Sequence, residues 1–203
     1  ASGWALLATA VIATVVALSA ELGRAFVQAS AYGDEDRHLL RSPAAYLLAS
    51  TVTWAVWAAA TTAAPLLLVG GRWLPGLPLA AVAVVVGVLG WPRWHRLSRR
   101  GFVVVPIGIV LHDHLVLAET AMVRRHELTG LRLAPADTQA ADLTGPAAGH
   151  AVEFSTAEPT TVVFAATPSE PGGRAIHLTA GLFAPSRPGA ALAAAAARRL
   201  PVG

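Results

Sequence analysis

The chain has 203 residues, 55% of them hydrophobic, with 15 basic and 12 acidic side chains and a net charge of +3. That hydrophobic share is high for a water-soluble globule, and so small a positive excess excludes the charge balance of a nucleic-acid-binding domain. The absence of cysteine removes disulfides, thiolate metal ligands, iron–sulfur clusters and cysteine nucleophiles together.

Residues 1–20, ASGWALLATAVIATVVALSA, carry no charge before Glu21. Roughly 18 apolar residues rising ~1.5 Å each approach the thickness of a bilayer core, so a first span is expected at about 3–20. There is no basic stretch ahead of it and no good cleavage site, which argues for a membrane helix over a signal peptide. Glu21 and Arg24 stand at i, i+3 spacing, and the helix is expected to project past the bilayer. The mixed-charge run Asp34-Glu35-Asp36-Arg37-His38 reads as a solvated loop. Ser42-Pro43 predicts an N-cap and first-turn proline for the next helix.

Residues 44–69 contain no ionisable side chain apart from Tyr46, and are the clearest span; Pro65 predicts a kink near its end. GGRWLPG, 70–76, reads as a tight turn, and 77–91 returns through the membrane. Residues 1–100 are thus read as a transmembrane region of three helices. Trp73, Trp91 and Trp94 fall at the ends of the hairpin, where an aromatic belt belongs. Arg93, Arg96, Arg99 and Arg100 follow the last span, against Arg72 alone at the opposite turn, so these four read as topology and headgroup signals. The positive-inside rule puts 21–43 and 101–203 in the cytoplasm and the N-terminus outside. A multi-pass protein of the bacterial inner membrane is expected. With no charge inside the hairpin, an ion or proton pathway is disfavoured. Trp54 and Trp57, at i, i+3, are read as one face for lipid or a partner. The threonines 51, 53, 61 and 62 are expected to bond their own or a neighbouring backbone.

Beyond residue 100 the helical period gives way to short β-branched runs. Strands are predicted at 102–106, 108–112, 114–119, 129–134, 151–156, 160–167 and 175–183, with a turn at Ala157-Glu158-Pro159 and a long polar loop at 134–150. Val152 and Phe154 alternate with Glu153 and Ser155, the mark of a half-buried antiparallel strand. SRPGAALAAAAARRL predicts a closing helix with Ser186 as N-cap and Arg198 and Arg199 in its last turn. The fold class expected for 101–203 is an antiparallel β-sandwich or barrel with a C-terminal helix.

GIVLHDHLVLAETAMVRRHELTGLRLA (108–134), AVEFST (151–156) to AIHLTAGLF (175–183), and PSRPGAALAAAAARRL (185–200) follow one another in an order that resembles the pleckstrin-homology (PH) superfold in its bacterial PH-like form. The resemblance covers about half of the chain and is one of order. It implies a packing or protein-contact module. PH domains that bind phosphoinositides carry a basic cluster in the first hairpin loop. The corresponding stretch here is His112-Asp113-His114, without lysine or arginine, so headgroup recognition does not carry over. The arginine-only, alanine-rich composition is similar to that of high-GC actinobacteria, whose cytochrome bc–cytochrome oxidase supercomplex holds small accessory membrane proteins. That likeness implies a chain without haem or copper.

Chemistry is sparse in the sequence. His112 and His114 would share one strand face and supply half a metal site. His126, Glu127, His150 and His177 are the other candidates, of which His177 is retained beside the pair. The rival reading makes Asp113 the bend of a hairpin, and no metal site is expected. Arg124-Arg125-His126-Glu127 reads as a solvated edge with local ion pairs over an anion site. No GxSxG, GxGxxG or GxxxxGK[ST] occurs. The expectation is a non-catalytic accessory or assembly subunit without cofactor, catalytic residue or evident small-molecule substrate, whose partners are other integral membrane subunits and membrane lipids. The alternative is a membrane-anchored, histidine-based metal enzyme or sensor.

Overall fold

The structure, a computed structural model, describes residues 2–17, 19–167 and 170–203. The chain opens with α1 (Ser2–Ala17) and α2 (Ala20–Gln28), and continues through β1 (Asp36–Leu39) into the helices α3 (Ala44–Val69) and α4 (Trp73–Ser98). α3 and α4 have 26 residues each and, among the described residues, are the two helices long and apolar enough to cross a membrane by themselves. At ~1.5 Å per residue each reaches about 39 Å, more than the ~30 Å of a hydrocarbon core. The expected first span is not one straight helix. α1 ends at Ala17, position 18 lies outside the described residues, and α2 sets off at 58° to α1. Ser19 starts α2 by accepting the Leu22 amide on its hydroxyl at 3.2 Å. A third span therefore exists only if this bent pair is counted as one.

Small residues let α3 and α4 approach closely. Ala60, Ala64, Gly76 and Gly90 are buried. A Cβ at Gly87 would lie 2.7 Å from Nε1 of Trp57, and one at Gly76 equally close to Cδ2 of Leu68. Trp57 is turned into the hairpin against Trp94, with ring centroids 5.7 Å apart, whereas Trp54 stays exposed. The two tryptophans thus do not share an outward face. Thr51, Thr53, Thr61 and Thr62 each donate to the carbonyl one turn back, as expected for threonine in an apolar helix. α4 begins at Trp73 and runs to Ser98, so Arg93, His95 and Arg96 belong to its last turns.

Two four-stranded sheets follow. The first is an antiparallel meander of β1, β2 (Gly101–Val105), β3 (Gly108–His112) and β4 (Ala121–Arg124). The second combines β5 (Leu128–Leu133), β6 (Ala141–Asp142), β7 (Val152–Phe164) and β8 (Arg174–Phe183) in the order β5-β7-β8-β6, with β6 parallel to β8. α5 (Pro188–Ala197) closes the chain. The core lies between the sheets and α5. Phe102, Val104, Ile109 and Leu111 from the first sheet meet Leu131, Val152, Phe154 and Phe183 from the second. Phe102 and Phe183 stack at 4.4 Å. Ala191 and Ala195 let α5 sit close against this core.

Several expectations are corrected. Residues 36–39 are not a free loop. They pair with β2 in the register Arg37–Val103 and Leu39–Gly101, so the 101–203 unit takes its first strand from ahead of the hairpin. Residues 114–119 form a turn rather than a strand, because the Asp113 carbonyl accepts the amides of Val116 and Leu117. β7 passes through 157–159, with the register slipping between Ser155 and Thr160; Pro159 sits in that irregular stretch, where a missing donor costs little. The 134–150 segment carries β6 and buries Leu143. Arg187, not Ser186, holds the N-cap position of α5, and Pro43 that of α3, neither with a side-chain cap bond.

Candidate functional site

The junction between the hairpin and the β domain is built around Arg100. This residue follows α4 and has the position of a topology arginine, yet it is 2% exposed. Its Nε donates to Asp113 Oδ1 at 2.7 Å and its Nη2 to Oδ2 at 2.6 Å. Nη1 donates to the Arg41 carbonyl at 2.8 Å. Arg41 lies just before α3 and Arg100 just after α4, so one guanidinium ties both feet of the hairpin to the turn after β3. Asp113 is also buried, and its Oδ1 accepts the Leu115 amide at 3.1 Å. The bend residue expected at a hairpin tip is instead the counter-ion of a buried fork-to-fork pair. The β2–β3 hairpin turns at Pro106 and Ile107.

A crevice of about 640 Å³ opens beside this clamp. Side chains alternate across the first sheet, so Phe102 and Val104 face the core while Val103, Val105 and Val110 face the crevice. α2 lies over that outer face. Val27 is buried, while Leu22 and Phe26 remain exposed. Gln28 seals the sheet edge: its Nε2 donates to the Glu35 carbonyl at 2.8 Å, and its Oε1 accepts the Arg37 amide at 2.9 Å. The far wall is the end of α4, through His95, Ser98 and Arg99. Arg37 is paired with Glu35 at 2.8 Å. The side chain of Arg99 has no hydrogen-bond or ion-pair partner among the described residues.

Of the candidate histidines named from the sequence, His112 and His114 come together. The rings of His112 and His114 are 4.2 Å apart, edge to face. Burial pushes the His112 imidazole below its ordinary range, and the neighbouring His114, Arg37 and Arg99 act in the same direction. Its Nδ1 is 2.9 Å from Thr120 Oγ1. His177 is elsewhere, on β8, with Nδ1 2.9 Å from Thr161 Oγ1. No group of three or more metal-ligating side chains occurs among the described residues. Arg124 and His126 each approach Glu127 at 3.8 Å on an exposed turn, as read from the sequence. Trp73 is exposed at the start of α4 and Trp91 about two turns before its end, and Arg93, Arg96 and Arg99 are exposed along its last turns and at its end.

His177 lines a second, shallower groove with Arg132, Thr138 and Glu153. Glu153 is almost wholly buried, and its carboxylate accepts from the Thr138 hydroxyl at 2.5 Å and from Arg132 Nη2 at 2.8 Å, across the β5–β7 register. The Thr138 bond first, then Arg132, hold its carboxyl below the usual 4.5, against the opposing effect of burial. A carboxyl depressed in the folded state contributes stability above its unfolded pKa and loses it as pH falls through the folded one. Glu153→Gln is therefore expected to lower the melting temperature at pH 7, with the gap from the parent narrowing as pH falls below the ordinary glutamate value of 4.5. Melting curves at pH 7, 5 and 3.5 check this; a gap that stays constant with pH contradicts it.

Compared with known proteins, the chain matches no family model, no curated protein and no solved structure.

Proposed function

We propose that this chain is a non-catalytic accessory or assembly subunit of a bacterial inner-membrane protein complex. The observation that carries this reading is α1. Every residue from Gly3 to Ala17 is exposed, including Trp4, Leu6, Ile12 and Val15. Among the described residues α1 has no substantial packing on α3 or α4. A helix apolar on all sides needs burial on all sides. Lipid covers some of it, and the helices of neighbouring subunits are the cover that gives such a helix a defined place. The arginine distribution supports a cytoplasmic β domain and an N-terminus outside. The antiparallel meander, second sheet and closing helix support a PH-like fold, from which the short β6 departs by running parallel to β8. Composition makes the actinobacterial respiratory supercomplex the first complex to test.

Mild-detergent co-purification with mass spectrometry is the test. Stoichiometric membrane subunits are expected with the parent chain, and their several-fold depletion in Ala10→Leu/Ala13→Leu, which keeps α1 apolar but blocks close helix approach. Recovery of the parent chain alone, while other membrane complexes stay whole, overturns the reading. The adjacent imidazoles of His112 and His114 favour one rival, a metal sensor. Stoichiometric zinc, lost in His112→Ala, would establish that rival.

A further inference from the structure

We propose that the crevice beneath α2 is a binding site for the headgroup of an anionic phospholipid. Its volume of about 640 Å³ is within the ~300–1,000 Å³ of ligand sites. Its floor is apolar, made by Val103, Val105 and Val110, and Phe26 extends the apolar wall outward. The charge on its rim does not cancel. Arg37 is neutralised by Glu35 and Arg100 by Asp113, which leaves the guanidinium of Arg99 with the imidazoles of His95 and His112. An unpaired guanidinium that shares a crevice with two imidazoles is a set of donors suited to phosphate.

Location selects the lipid over a free anion. Arg99 directly follows α4, one of the two helices able to cross a membrane, and exposed Trp91 lies two turns earlier on that helix. The other wall, α2, is amphipathic and leaves Leu22 and Phe26 facing outward. A soluble phosphate would gain nothing from the valine floor. The glycerol and first methylenes of a phospholipid would cover it while the phosphate meets Arg99.

The full chain in mild detergent, followed by its melting temperature, tests this against three probes: dihexanoyl-phosphatidylglycerol, dihexanoyl-phosphatidylcholine and inorganic phosphate. Phosphatidylglycerol is expected to raise the midpoint by several degrees, and Arg99→Ala to raise its half-saturating concentration by about tenfold. Arg99→Lys should retain much of the response. Val110→Phe, which fills the floor and leaves every charge in place, should lose it. Arg93→Ala, whose side chain is bonded to the Leu89 carbonyl outside the crevice, should respond like the parent. An equal shift with phosphatidylcholine, a full shift with phosphate alone, an unchanged response in both Arg99→Ala and Val110→Phe, or no shift in the parent chain overturns the proposal. Because the chain is tested alone, such a failure leaves the subunit reading standing, and co-purification can fail without touching this result.

Discussion

Asp113→Ala is expected to destabilise the β domain by about 3–5 kcal/mol, the cost of leaving a buried guanidinium without its counter-ion. Arg100 cannot turn to water, since its side chain is 1% exposed and its Nη1 is already held by the Arg41 carbonyl. The six tryptophans, at 4, 54, 57, 73, 91 and 94, lie outside the β domain, so intrinsic fluorescence is a poor reporter. Amide hydrogen exchange of β2 and β3 is the better measurement, with protection expected to fall by roughly two to four orders of magnitude. Arg100→Met/Asp113→Leu should recover most of the loss, because an apolar pair of similar volume avoids the desolvation that the ions incur. A double variant no better than Asp113→Ala would show that the bonds to the backbone, rather than the charge pair, hold the junction. Arg100→Lys should behave like a loss, since a point charge cannot reproduce the two-pronged geometry.

The second large effect is expected at Phe154, which has no exposed surface and packs between Phe183, 6.4 Å away, and Gly181. Phe154→Ala should cost about 3–5 kcal/mol through lost transfer energy and the cavity left behind. The ring lies so close over Gly181 that a Cβ there would stand 2.6 Å from Cε1. Gly181→Val in the parent chain therefore forces the ring aside and destabilises. In the Phe154→Ala background the same valine has vacant space to enter and should restore part of the stability. Exchange at β7 and β8 in the four chains tests this coupling; strictly additive losses would contradict it.

The uncharged runs 44–69 and 77–91 made α3 and the middle of α4 legible, whereas the ends of α4, from Trp73 and through Arg93, His95 and Arg96 to Ser98, lie outside the run read from the sequence. β2, β3, β5 and β8 followed from β-branched runs, and α5 from its alanines and flanking proline. What escaped was structure supplied by partners distant in sequence. Asp36-Arg37-His38-Leu39 is charged and short; it is a strand because Gln28 covers its edge and Arg198, after α5, reaches Asp34 and Asp36 at 2.7 and 2.8 Å. Residues 114–119 had the pattern of a strand, but Asp113 takes up three of the following amides and turns the chain. Arg100 looked like its three surface neighbours because nothing local distinguishes an arginine whose counter-ion lies 13 residues on. The crevice was equally hidden. Its floor and its rim had separate local explanations, as strand and as topology signal, and only α2 folding over the sheet joins them.

The pairing of β1 with β2 across the α3–α4 hairpin has a consequence for biogenesis. The two strands are separated by roughly 60 residues, so at ~5–20 residues per second β1 leaves the ribosome several seconds before its partner exists. Under the membrane reading proposed above, insertion of the hairpin precedes the sheet, because β1 and β2 meet only once both feet are on one side of the bilayer. Gln28 covers only the edge of β1 that faces away from β2, so the edge that β2 later takes stays open during that interval. A fragment of residues 101–203 alone would never receive its first strand and would present β2 as an open edge. The domain is in this sense completed only by a segment on the far side of the hairpin.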